Sequence, residues 1–115
     1  MKSIGYLLVA VAIVFIGDSC GGPVEIDGDA TGQEIFGSSG CTACHLPAEK
    51  TVGPSINEIA KAYKNNGDQM ILFLKEEADP IVDPENYGAM QVNLAQTKAM
   101  SDEELQKIVD FILEQ

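Results

Sequence analysis

The sequence predicts an all-α chain of four or five short helices, and three observations carry that prediction. Three capping boxes punctuate it: Thr31 with Glu34, Ser55 with Glu58, and Ser101 with Glu104. In each, a hydroxyl stands where it can accept from the third backbone N–H of a helix, and a carboxylate where it can reach back to the cap. Apolar residues then recur at helical spacing behind the second and third boxes. The two-residue alternation of a half-buried strand is almost absent.

Residues 1–19 read as a signal peptide or an N-terminal anchor. Lys2 is the only early charge, and residues 4–16 form an almost unbroken apolar run. At about 1.5 Å per residue such a helix reaches roughly 20 Å, short of the roughly 30 Å bilayer core. An export segment therefore fits better than a membrane span. Gly17 and Ser19 stand three and one positions before Cys20, a spacing that suits cleavage with Cys20 as the first mature residue. Cys20 also resembles the acylated cysteine of bacterial lipoproteins, although Gly17 and Asp18 depart from the usual residues there. Residues 20–30, rich in glycine and acid, form a flexible tether.

Thr31 opens a first helix running to about Ser39, with Gly32 and Phe36 one turn apart on one face. Gly40 can end it in a left-handed conformation. Ser55 opens a second, whose Ile56, Ile59, Ala60 and Tyr63 make a buried stripe, and Asn66-Gly67 stops it. Asp68 is expected to cap a third, with Met70, Ile71 and Leu74 inward and an end before Pro80. Residues 80–89 read as loop, and Asn93 as the cap of one short turn over residues 94–98. Ser101 opens the last helix, where Leu105, Ile108, Val109 and Ile112 repeat the buried stripe.

Between the first two helices lies Cys41-Thr42-Ala43-Cys44-His45. Two thiols three positions apart, followed at once by an imidazole, make the C-x-x-C-H arrangement that attaches haem covalently. Each thiol can add across one vinyl group of the porphyrin, and the imidazole of His45 can ligate the iron. Other chemistries fit poorly. A thioredoxin-like site needs βαβ context. A closed zinc site needs four ligands, whereas the chain offers one further cysteine, Cys20, and no second histidine. A large buried cofactor would also extend the marginal core of a 115-residue chain.

Three methionines compete for the opposite side of the iron. Met70 falls in a helical stripe beside Ile71, which suits core packing. Met100 precedes the Ser101 cap and stands five positions before Leu105, the hydrophobic-staple arrangement. Met90 has no such structural role, and a thioether presented from a loop suits an axial ligand.

Taken together, residues 31–115 resemble a class I c-type cytochrome, a small fold of four to five helices around one haem c. The features that carry the resemblance are Gly32-x-x-x-Phe36 before the C-x-x-C-H motif, Val52-Gly53-Pro54-Ser55-Ile56 after it, and a later methionine. A short extra helix before the last one, and the aromatic Phe111 within that last helix, complete it. The resemblance implies that Gly32, Phe36 and Phe111 meet where the first and last helices cross. It implies that the Pro54 carbonyl accepts the proximal imidazole N–H, fixing ring orientation. It selects Met90 as sixth ligand, although Gln91 and Val92 stand where many relatives carry proline.

The implied function is single-electron shuttling between respiratory or photosynthetic partners, in the periplasm or at the outer face of the membrane. With both axial positions filled, no substrate binds, so an enzyme is not expected. An attached subunit of a larger membrane oxidoreductase is the alternative; a haem sensor or enzyme with a labile sixth ligand is a third reading. A peroxidase would need a distal acid–base group, and the one histidine is already committed. The chain carries 18 acids against 7 bases and no arginine, which excludes nucleic acid as a partner and argues against electrostatic binding to anionic lipid. The same excess favours redox partners with basic docking surfaces. Membrane attachment would run through the N-terminus or Cys20.

Overall fold

All three capping boxes form. Thr31, Ser55 and Ser101 accept from the amides of Glu34, Glu58 and Glu104 at 3.3, 3.2 and 3.2 Å. The glutamates return the bond to the cap amides at 2.8, 2.8 and 2.7 Å. Each box meets backbone donors that the first helical turn otherwise leaves without partners. The structure, a computed structural model, describes residues 27–115. The expected leader or anchor, most of the tether and Cys20 lie outside the described residues.

Five α-helices follow in order: α1 (Gly32–Ser38), α2 (Ile56–Ala62), α3 (Gly67–Leu74), α4 (Tyr87–Lys98) and α5 (Asp102–Leu113). Two 3₁₀ turns, Cys41–Ala43 and Pro84–Asn86, connect them. Among the described residues the only extended pairing is an isolated antiparallel bridge between His45 and Lys50.

The core is built on α5. Its Leu105, Ile108, Val109 and Ile112 are all buried, each worth about 1.5–3 kcal/mol relative to exposure. α1, α2 and α3 pack against it. The crossing with α1 is the tightest: a Cβ on Gly32 would stand 1.9 Å from the Lys107 carbonyl oxygen. Next to that contact the Phe36 and Phe111 rings lie 5.5 Å apart in a tilted arrangement, an aromatic pair of about 0.5–1.5 kcal/mol. An ion pair between Lys75 and Asp102 ties the end of α3 to the start of α5.

Two expectations need correction. The third helix is not capped by Asp68: it begins at Gly67, with Asn66 at the cap position making no side-chain bond. Asn65 takes a left-handed conformation, φ 67°, so the chain reverses earlier and Asp68 falls in the first turn, where its charge suits the helix dipole.

The larger correction concerns residues 80–98. Residues 87–89 are not loop and Asn93 caps nothing; one continuous helix, α4, covers both. Pro84 opens the preceding 3₁₀ turn, as its fixed φ favours. No proline follows Met90, so nothing interrupts the helix there. Its pattern is illegible because only Leu94 and Thr97 are fully buried, while Val92 is 78% exposed.

Candidate functional site

The Cys41–Ala43 turn sets the two thiols one turn apart. Gly40 enters it with φ 78°, and the Cys41 carbonyl accepts from Cys44 and His45 amides at 3.2 and 3.0 Å. Both cysteines are half-buried. Burial pushes the Cys41 thiol above its ordinary value.

His45 is buried, and its Nδ1 lies 2.7 Å from the Pro54 carbonyl oxygen. That carbonyl can only accept, so Nδ1 carries the proton and donates, leaving Nε2 with a free lone pair. The loop that brings Pro54 back is densely bonded. Gly53 N donates to the Cys44 carbonyl at 3.1 Å and Thr51 Oγ1 to the same carbonyl at 2.8 Å. The first two amides of α2, from Ile56 and Asn57, donate to the carbonyls of Leu46 and Pro47 at 2.9 and 3.1 Å. Gly53 is required sterically, since a Cβ there would lie 2.5 Å from His45 Cε1.

This proximal loop forms one wall of an open, apolar cavity whose empty space, its open mouth included, is about 950 Å³. A second wall comes from the segment between α3 and α4 and from α4 itself. Cys41, Cys44, His45, Pro54 and Met90 all line it, so every candidate site residue converges there. Ile59 of the second stripe is only half-buried because it too faces the cavity.

The methionines separate, though not as expected. Met90 is not in a loop but in the first turn of α4, on the same face as Leu94 and Thr97. Its loop position therefore distinguishes nothing; lining the cavity separates it from Met100, and its partial exposure separates it from Met70. Met70 is 2% exposed and belongs to the core while touching the same cavity. Met100 is half-buried against the core and does not line the cavity.

Several liners were not legible. Tyr63 enters the sequence pattern only as a stripe residue, yet it lines the cavity, and burial raises its hydroxyl above the usual value while a backbone hydrogen bond with Ile81 opposes the shift. Thr97 Oγ1 donates to the Leu74 carbonyl at 2.7 Å and holds α4 on α3. Asp83 lines the cavity in a left-handed conformation, φ 50°. Lys50 Nζ lies 2.9 Å from its Oδ2, and Asn86 Nδ2 donates to its Oδ1 at 2.8 Å. Lys50 and then Asn86 hold the Asp83 carboxyl below the usual range. An Asp directly before a Pro is a turn signal in the sequence; nothing there pairs it with Lys50.

A haem fits this donor set. Two thiols one turn apart, an imidazole with its second nitrogen available, a thioether across the cavity and apolar walls are what its periphery, iron and faces require. Comparison with known proteins agrees. The cytochrome c family profile matches residues 30–115. The chain is 32% identical over 84 residues to cytochrome c2 of Rubrivivax gelatinosus, covering 73% of this chain and 96% of that protein. Shorter similarities reach cytochrome c-551 of Pseudomonas denitrificans, 41% over 39 residues, covering 34% of this chain and 48% of that protein. Cytochrome c-551 of Azotobacter vinelandii is 46% identical over 33 residues, 29% of this chain and 40% of its own.

Proposed function

Because the chain belongs to the cytochrome c family, and so is an electron carrier with one covalently attached haem c, we propose that Cys41 and Cys44 bind that haem and that His45 and Met90 ligate its iron. The observation that carries this is the convergence of these four side chains, with the Pro54 carbonyl, on one apolar cavity. The bound group supplies one-electron iron chemistry, which the polypeptide lacks. The chain's own residues set its terms. Pro54 fixes the orientation and tautomer of the His45 ring. The Met90 thioether favours the reduced state and raises the potential relative to a second imidazole. Apolar walls keep water from the iron, which also tunes the potential.

The domain is residues 31–115, behind an export leader or anchor over 1–19 and a tether over 20–30. The protein works as an exported carrier, in the periplasm or at the outer membrane face, between respiratory or photosynthetic partners. Its net charge of −11 steers basic partners. Val52, which lines the cavity, and Ile81, between the liners Pro80 and Val82, are exposed apolar residues suited to a small transient contact. The tether favours a second reading, a subunit held on a larger membrane oxidoreductase through its N-terminus or an acylated Cys20. No helix among the described residues is long and apolar enough to cross a membrane.

The test is expression in an exporting host with haem-attachment machinery. Denaturing mass spectrometry should give the polypeptide plus one haem, its N-terminal peptide should report the state of Cys20, and the oxidised protein should show the methionine–iron charge-transfer band. Free apoprotein from such a host would overturn the site assignment.

A further inference from the structure

We propose that Lys50 and Asp83 form a clasp that positions Met90 opposite His45 by holding the distal segment onto the proximal loop. This rests on the reading of His45 and Met90 as the two axial ligands. The pair spans the two walls of the cavity. On the proximal side, the Lys50 backbone bridges to that of His45. On the distal side, Asp83 immediately precedes the Pro84–Asn86 turn, whose Asn86 donates to the Asp83 carboxylate, and that turn runs directly into α4 and Met90. A continuous series of contacts thus joins one ligand residue to the other.

The pair differs in kind from the other ion pairs. Lys75–Asp102 and Lys107–Glu103 each have a carboxylate at least 77% exposed, and Lys98–Glu76 is longer, at 3.5 Å. Exposed pairs of that sort contribute little. The Asp83 side chain is only 14% exposed, and its buried Oδ2 lies 2.9 Å from Lys50 Nζ. Removing Lys50 leaves a largely covered carboxylate oxygen without its cation. The segment can relieve this by swinging Asp83 outward, and because Asp83 leads into α4 the same motion loosens Met90. Replacing Asp83 by Asn keeps the shape and removes the charge, so the penalty should be smaller.

The experiment is titration of the oxidised holoprotein with imidazole, which competes with Met90 for iron and reads how readily that side opens. Lys50→Met should bind imidazole roughly threefold to fivefold more tightly than the parent, the upper range for a half-exposed pair. Asp83→Asn should show a smaller gain, the double variant should match Asp83→Asn, and Lys50→Arg should match the parent. Parental affinity in both Lys50→Met and Asp83→Asn overturns the clasp, even if their melting temperatures fall. Met90→Ala separates the two claims. If it leaves imidazole affinity unchanged, the ligand assignment fails; if it raises affinity steeply while Lys50→Met does not, only the clasp fails.

Discussion

The two walls of the cavity are built on different principles. The proximal wall, residues 41–56, is held by backbone geometry. The Cys44 carbonyl accepts from the Gly53 amide, with one added side-chain bond from the Thr51 hydroxyl, the first amides of α2 close on Leu46 and Pro47, and Gly53 has no room for a side chain against His45. The distal wall, residues 75–98, is held by side chains. Thr97 reaches the Leu74 carbonyl, Lys50 reaches Asp83, and two non-glycine residues, Glu76 and Asp83, take left-handed conformations at φ 60° and 50°. A wall fixed by backbone bonds leaves His45 one orientation. A wall fixed by side chains can be adjusted without disturbing the core on α5. The first suits a permanent ligand and the second a tunable one.

Met90→Ala should break this contrast most completely. It should abolish the methionine–iron charge-transfer band of the oxidised protein and lower the potential, while leaving haem attached by mass spectrometry. A band that survives would move the ligand to another methionine, Met70 at the cavity or Met100 outside it.

Gly53→Ala attacks the other wall. Its Cβ would meet the His45 ring, and relief by backbone shift should cost about 1–3 kcal/mol, measured by denaturant unfolding of the holoprotein. The comparison that sharpens it is Gly32→Ala, where the collision is with the Lys107 carbonyl in the α1–α5 crossing. Both should lose stability, but only Gly53→Ala should also shift the haem spectrum. Equal spectral effects would mean that the proximal loop is not a distinct rigid unit.

Met100→Leu should do least to the site. Met100 packs on the core outside the cavity, so a volume-conserving swap should cost less than about 1.5 kcal/mol and keep the band.

The smallest effect is an acid one. Hydrogen bonds from the Ser55 backbone and side chain lower the Glu58 carboxyl from its ordinary 4.5. A depressed folded value means that this contribution is fully present above the unfolded value and fades as pH falls through the folded one. Glu58→Gln retains a capping side chain but does not titrate. Its melting temperature should fall less than the parent's as pH is lowered below 4.5.

What the chain determines locally was legible. A capping box is an exchange between residues three apart, so Thr31, Ser55 and Ser101 announce their helices without tertiary help. The stripe of α5 is legible because its whole apolar face meets protein. C-x-x-C-H is legible because one segment carries the attachment chemistry.

Tertiary structure decided the rest, wherever the partner is distant in sequence or is not protein. α4 shows no clear stripe because part of its face borders the cavity and part lies exposed, so helical periodicity that burial would impose is missing. Asp83 and Lys50 belong to separate polar segments, and only the folded chain sets one against the other. Gly53 could be read as part of a turn, but the imidazole that excludes a side chain there comes from the far end of the loop. Short-range hydrogen bonds and packed faces write themselves into sequence spacing; contacts across a cavity do not, because nothing in the intervening residues must repeat to make them.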